Sequence, residues 1–600
     1  MGVTSKALTE RTAGRTVPRA FLDQVRKRPE GVALRWLDGE AWREWTWSDY
    51  ADRAARLAGS LAEGGIGPGD RVVLMLRNSP EFHVADMAAL LVGATPVSIY
   101  NSSSADQVAF IAGNCGARAA LVEDAGYLEK VLTARTFLPE LRHVAAVDGA
   151  AVTGDVLAWD ELVAHDPIDL EAAARVARPS DLATVIYTSG TTGPPKGVMI
   201  DHANIAWTVS SLRLALGDLD PEGSRAVSYL PMAHIAERMT SHYMGIELGY
   251  EVTTCPEASA VSQYLPQVRP QMFFAVPRVW EKIEAGVRAA LGADSDRAEA
   301  FEQALDIGGR VAEHRARGAE IPAELGAAFE QADAAGLRPV RELLGLDQLI
   351  SAISGAAPIS RGVFEFFRAL GIPLSEIYGL SETSGPMTWD PSRVRSGTVG
   401  RAIPGEDVRL ATDGEVVCRG GNIFRGYLDE PTRTAEVLDA VGWFHTGDIG
   451  ELDEAGYLRI VDRKKELIIT AGGKNISPAN LEAALKSHPL VGQVCVIGDG
   501  RPFISALLVL DPEAAPVWAS THGVEVAAAS ELAEHPEIRA ELERAVAGAN
   551  EHFSRVEQVK RFVVLCDEWL PDSEELTPTM KLKRRGVHAK YADEIESMYR

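Results

Sequence analysis

The chain has 600 residues, so at about 150 residues per domain it has room for two to four packed units. Hydrophobic residues make up 46% and charged residues 24%, a globular composition that excludes the disordered, collagen-like and disulfide-scaffold classes. Sixty Lys and Arg against 85 Asp and Glu give a formal net charge of −25, which repels phosphate backbones over most of the surface and argues against nucleic-acid partners.

The opening MGVTSKALTERTAGRTVPRAF lacks the apolar core of a signal peptide, and Lys6 stands where a myristoylation motif needs Ser or Thr. No stretch reaches 18 uncharged apolar residues, so no transmembrane segment is expected, although an apolar face leaves room for peripheral contact with a membrane surface. Cys115, Cys255, Cys418, Cys495 and Cys566 are far apart without CxxC spacing and read as reduced, mostly buried thiols of a cytoplasmic protein.

From Val17 to Val252, short apolar runs (Arg71–Leu76, Ala94–Ile99, Ala119–Val122, Thr184–Tyr187) alternate with helical patterns. That alternation predicts crossover units and a largely parallel sheet covered on both faces. Between Pro277 and Leu346 apolar residues fall at three and four spacing among Ala, Glu and Arg, predicting a helical insertion over about 281–346. Leu349–Ile353 returns to strand, which keeps those helices in the first large unit. A hairpin turning at Glu454–Gly456 leads to Asp462–Lys465 (DRKK), where the boundary is expected. Beyond it come a strand Leu467–Thr470, a Gly472-Gly473 turn, a helix with Ser477 as N-cap and Pro478 at its first position, and strands Val491–Ile497 and Phe503–Leu510. About 135 residues suffice for an independent core. The expected fold is α/β: a large N-terminal domain over 1–464 with mixed and parallel sheets covered by helices, and a small α+β C-terminal domain over 465–600 on a hinge.

The chemistry-bearing strings begin at Tyr187–Gly197, YTSGTTGPPKG, directly after an apolar strand. Gly190 and Gly193 let backbone N–H groups converge on an anion, Thr188, Ser189, Thr191 and Thr192 add hydroxyl donors, and Lys196 adds charge. This is a candidate phosphate loop but not a Walker A motif, because the glycines are three apart and Lys196 is followed by Gly197. Further along stand Tyr229–Arg238 (YLPMAHIAER), Val276–Lys282 (VPRVWEK), Ser354–Pro358 (SGAAP), Ile377–Thr383 (IYGLSET), Val441–Lys465 and Leu576–Arg585 (LTPTMKLKRR).

Taken in order, these strings resemble the adenylate-forming superfamily of acyl-CoA synthetases, non-ribosomal adenylation domains and beetle luciferases. The 229–238, 276–282 and 441–465 strings are similar to the long-chain fatty acyl-CoA synthetase branch. The resemblance spans residues 187–585; before residue 180 only Tyr100–Gln107 (YNSSSADQ) shares it. It implies that the loop with Lys196 clamps pyrophosphate and that Thr188 and Glu382 hold Mg²⁺, Glu382 as a hard oxygen ligand. It places adenine against Gly355, Ala356 and Ala357 and the Tyr378-Gly379 turn, with Thr383 as an α-phosphate donor. Asp448 would hold the ribose hydroxyls, assisted by Arg463, and His234 would line the carboxylate end of an acyl pocket. Lys581, not Lys583, matches the lysine that enters the family's active site, although Met580 replaces the usual preceding glycine. Lys465 occupies the hinge position, and Gly472 and Gly473 would form a thiol tunnel.

The implied reaction couples a carboxylate to AMP, since a carboxylate alone has only oxide to expel. The acid attacks the α-phosphorus of ATP, pyrophosphate leaves, and the thiol of CoA then takes the acyl group. Negative charge builds between two anions in the first step, so Mg²⁺ and cationic donors must already be in place. The expected activity is an ATP-dependent fatty acid:CoA ligase for medium- to long-chain acids, with fatty acid, ATP and CoA as partners. Rival readings are an acyl-AMP ligase that loads a carrier-protein thiol, a ligase for a specialised carboxylic acid, and a non-catalytic nucleotide-binding scaffold. The scaffold would be expected to lack Lys581, Glu382 or Asp448, and all three are present.

Overall fold

A computed structural model describes residues 3–188, 194–292, 295–469, 475–524, 529–571, 573–577 and 580–600. The apolar runs of the first 160 residues form a five-stranded, all-parallel sheet in the spatial order Thr95–Ser98, Arg71–Met75, Ala117–Val122, His143–Ala146, Leu157–Ala158. Side chains alternate across such a sheet, so Val72 and Leu74 enter one core while Val73 and Met75 enter another. Helix Pro80–Leu91 covers the first face and is buried all round except at Glu81, which is why its sequence shows little amphipathic contrast.

A second sheet has eight strands, ordered Gly385–Trp389, Leu374–Leu380, Ser351–Ser354, Met272–Ala275, Arg225–Ser228, Glu251–Thr254, Val32–Asp38, Ala41–Thr46. The six inner strands are parallel and the two edge strands antiparallel. The helical insertion (Pro277–Gly292, Ser295–Arg317, Ala323–Ala332, Arg338–Leu344) shares a core with this sheet. Trp280 stacks edge-on against Phe273 and Phe367, with ring centroids 5.5 and 4.9 Å away.

Thr184–Tyr187 departs from the expected parallel arrangement. Leu182–Thr188 pairs antiparallel with Lys196–Asp201, which pairs antiparallel with Gly426–Tyr427. The link from Thr188 to Lys196 is too short for a crossover helix, and parallel strands need roughly a dozen connecting residues.

Four antiparallel strands follow: Asp407–Leu410, Glu415–Arg419, Phe444–Leu452 and Leu458–Arg463. The turn of the last hairpin is closed by Asp453 Oδ1, which accepts from the N–H groups of Ala455 and Tyr457 at 2.9 Å each. Gly456 sits there at φ +83°, a conformation that glycine adopts without strain.

The C-terminal portion is α+β. Val491–Ile497, Ile504–Leu510 and Val559–Leu565 form a sheet whose two faces bury alternate residues. Val494, Val496, Ala506 and Leu508 meet the helices Pro478–Lys486 and Pro536–Asn550, while Cys495, Ile497, Leu507 and Val509 meet Trp569, Val587, Tyr591 and Ile595. Ser477 caps its helix by accepting from Asn480 N, with Pro478 at the first position. Ile468–Ile469 pairs with Asn475–Ile476. Four cysteines are buried and Cys566 is exposed. Among the described residues no helix is long and apolar enough to cross a membrane.

Candidate active site

The parallel strands of the large sheet deliver two of the strings to one edge, because Ser354 and Leu380 end neighbouring strands. Loops at the carboxyl ends of such strands border the crevice where α/β proteins bind ligands. After Ser354, Gly355 leaves no room for a side chain: a Cβ there would lie 2.7 Å from Ile377 Cγ2. Ala356 follows at φ +69°, an uncommon left-handed alanine, and with exposed Ala357 makes a low, flat surface. Gly379 is equally constrained, since a Cβ would lie 1.9 Å from Gly385 O.

Hairpin register fixes the next pair. Asp448 lies directly across from Arg463, and Arg463 Nε forms an ion pair with Asp448 Oδ1 at 3.2 Å. The Tyr378 hydroxyl, from the other sheet, donates to Asp448 Oδ2. Burial pushes the Asp448 carboxyl above its ordinary value, opposed by Arg463, Tyr378 and Lys581. A carboxylate held by one hydroxyl donor and one ion pair is fixed well enough to accept from a vicinal diol.

Glu382 follows in the turn after strand Leu374–Leu380. Its Oε1 accepts from the Tyr427 hydroxyl at 2.8 Å, and its second oxygen has no partner among the described residues. Lys196 Nζ lies 4.7 Å over the same Tyr427 ring, so Tyr427 ties the base of the candidate phosphate loop to Glu382. Thr188 stands opposite Lys196 at the start of that loop. Ser189, Gly190, Thr191, Thr192 and Gly193, and also Gly472 and Gly473, lie outside the described residues.

Thr383 does not reach the cleft as the IYGLSET string suggested. It is fully buried, accepting from Leu380 N at 2.9 Å and donating to backbone carbonyls of Leu380 and Gly385. The half-buried Ser381 is the hydroxyl beside Glu382 with no partner among the described residues. Sequence reading also missed Glu376, whose strand position faces Ser354 and precedes Tyr378 by one alternation. Burial alone raises its carboxyl to about 8, and it too lacks a partner among the described residues.

His234 caps helix Ile235–Glu237, its Nδ1 accepting from Ala236 N at 3.1 Å. An accepting Nδ1 leaves the proton of a neutral ring on Nε2. Burial, with the positive charge of Lys581 nearby, lowers the imidazole to about 3, so the ring is a neutral donor. Further along the chain, Glu237, Thr240 and Met244 line an apolar cavity closed by Phe274, Ile377 and Trp389.

Lys581 arrives from 347 residues further along. Thr577 N donates to Lys581 O at 2.8 Å and Lys581 N donates to Thr577 Oγ1 at 3.0 Å, closing a tight turn. Met580 takes φ +61° in that turn, which accounts physically for a glycine being usual there. The Lys581 side chain is exposed to solvent but has many protein groups around it. Desolvation and Arg463 lower the ammonium, while Asp448 and Glu382 favour its charge. The structure thus brings Lys581 within electrostatic reach of His234, Asp448, Arg463 and Glu382. Lys465 stays outside: its side chain is exposed in the turn closed by Glu466 N and Leu467 N donating to Arg463 O.

Residues 21–428 match the family model described as AMP-binding enzyme, and residues 465–600 match the AMP-binding enzyme C-terminal domain. The chain belongs to the AMP-binding enzyme family. It is 35% identical to the long-chain-fatty-acid–CoA ligase FadD15 of Mycobacterium bovis, covering 97% of both chains. It is 32% identical to the long-chain-fatty-acid–CoA ligase ACSBG2 of Xenopus laevis, over 97% of this chain and 84% of that one. The fold is similar to the A domain of a carboxylic acid reductase from Segniliparus rugosus solved with AMP and a co-purified carboxylic acid, at TM-score 0.74 and 21% identity, covering 100% of this chain and 96% of that one.

Proposed function

We propose that the protein is an ATP-dependent fatty acid:CoA ligase that joins a medium- to long-chain acid to AMP and then transfers the acyl group to CoA. The observation that carries this reading is the convergence of Lys581 with His234, Asp448, Arg463 and Glu382 in one cleft. Naming of full-length relatives as long-chain-fatty-acid–CoA ligases supports the choice of acid and acceptor.

Asp448 and Arg463 hold the ribose, with the Ala356-Ala357 surface and the Tyr378 ring on either side of the base. His234 Nε2–H donates to one oxygen of the substrate carboxylate and, being neutral, orients it without trapping it as an ion pair. Lys581 lies between that carboxylate and the α-phosphate, where its charge offsets their repulsion as the oxygen attacks phosphorus. Ser381 takes the phosphate-donor role that the sequence suggested for Thr383. Glu382, with one oxygen fixed by Tyr427, and Thr188 fit a Mg²⁺ ion, which takes few protein ligands when phosphates and water complete its shell. Bound there, Mg²⁺ would neutralise phosphate oxygens. The thiol step needs no cation between two anions, so Lys581 is dispensable for it, and a turn of the small domain about Lys465 would withdraw it.

The test supplies ATP, Mg²⁺ and free acids from C4 to C18 plus aryl acids, with and without CoA, and identifies products by mass. Acyl-CoA and AMP appearing together with one best chain length is the expected result. Acyl-AMP accumulating without a CoA product would move the acceptor to a carrier-protein thiol, and no ATP consumption would refute the ligase reading.

A further inference from the structure

Lys581 reaches the cleft only while the C-terminal portion is held against the large one, so the contacts across that seam bear on the chemistry. Near the connection, Asp462 Oδ2 accepts from Ser477 Oγ at 2.7 Å and from Ala479 N at 3.1 Å. These partners are close in sequence and would stay close through a rotation about Lys465.

A second set lies far from it in sequence. Helix Pro277–Gly292 presents Arg278 and Lys282, one turn apart and hence on one face. Opposite them, Asp511 and Glu513 lead into helix Ala514–Thr521. Arg278 donates one arm of its guanidinium to Asp511 and the other to Glu281 at 3.3 Å, and Lys282 Nζ donates to Glu513 at 2.7 Å. Asp511 is built to be met: only 6% exposed, its Oδ1 accepts from Glu513 N at 3.0 Å and Ala514 N at 2.8 Å, leaving Oδ2 aimed at the arginine. Lys486, at the end of another C-terminal helix, is within electrostatic reach of Glu281, so charges alternate along the seam.

We infer that the Arg278–Asp511 pair, reinforced by Lys282–Glu513, is a latch that holds Lys581 in the cleft for acyl-AMP formation and must open before the thiol step. Arg278 and Asp511 are positioning residues: they act through Lys581 and touch no reacting atom. The inference rests on the ligase reading. Fixed, forked geometry makes the arginine pair dominant over the exposed lysine pair, whose strength salt readily screens.

The test uses full-length enzyme with Arg278→Glu, Asp511→Arg, the double charge exchange, and Asp511→Asn as a nearly isosteric control. Two rates are measured for each: acid-dependent pyrophosphate exchange into ATP, and acyl-CoA formation from supplied acyl-AMP. Each single variant is expected to lower kcat of the first on the order of tenfold, with KM for ATP little changed and the second rate unchanged or raised. The double exchange should recover most of the loss, a result that general misfolding would not give. Equal losses in both rates, no loss in the first, or an exchange no better than the single variants would overturn the latch. A wild-type enzyme that activates no acid would overturn the ligase reading itself and the latch with it.

Discussion

The two walls of the cleft are made in different ways. On the large side, Asp448 is set by hairpin register against Arg463 and by a hydroxyl from a second sheet, and Glu382 is tied to Tyr427. On the other side, Lys581 rides on a turn with a left-handed Met580, brought in by a separate core and held across a seam by ion pairs. In the proposed reaction the first wall is a fixed template and the second a delivered reagent. A residue needed throughout two chemical steps belongs on the template, whereas one needed in a single step gains from being withdrawable.

That contrast is broken most severely by Lys581→Ala, expected to slow acyl-AMP formation by about 10²–10³-fold while leaving acyl-CoA formation from supplied acyl-AMP nearly intact. Equal loss in the two assays would put the lysine on the template side. Lys465→Pro should separate the half-reactions by trapping one arrangement, and survival of both unaltered would remove the hinge. Asp448→Ala should raise KM for ATP by roughly 10–100-fold, because it removes a charge-assisted acceptor and leaves Arg463 unpaired. ATP titration checks this, and an unchanged KM would detach Asp448 from the nucleotide.

His234→Ala should raise KM for the acid by about tenfold. Because the ring stays neutral well below physiological pH, the wild-type KM for the acid should show no inflection from about pH 5.5 to 8, and one near the ordinary histidine value would refute a neutral donor. The smallest effect concerns Glu376. Its folded-state value of about 8 lies above the unfolded carboxylate range, so stability from its neutral form is present at low pH and is lost as pH rises through 8. Glu376→Gln cannot ionise, so its gain in Tm over wild type should be larger at about pH 8.5 than at about pH 5. A gain independent of pH would show that Glu376 is not held in a desolvated place.

What the sequence revealed follows the same division. Strand alternation, the hairpin turn at Gly456, the Ser477 cap and the strings at strand ends were readable because short-range rules govern them: side-chain period, turn chemistry and capping. Arg463 and Asp448 were readable as two strings, but their pairing is a matter of register. The antiparallel course of Leu182–Thr188 was hidden because an apolar strand reads alike in either direction, and the short link to Lys196 is the one local feature that argues against a parallel course. Thr383 misled because a hydroxyl in a motif carries no sign of where it points: the turn buries it and leaves Ser381 outward. Glu376 carried no motif, and the Arg278–Asp511 contact joins residues 233 apart that no local pattern couples.

The most direct test of two chemical steps in one cleft is a single-turnover experiment with wild-type enzyme, ATP, Mg²⁺ and the best acid, quenched before and after CoA is added. The account requires acyl-AMP and pyrophosphate to form together on the enzyme without CoA, and the same acyl-AMP to become acyl-CoA and AMP once CoA arrives. Pyrophosphate released only after CoA is added, or ADP and phosphate in its place, would contradict it.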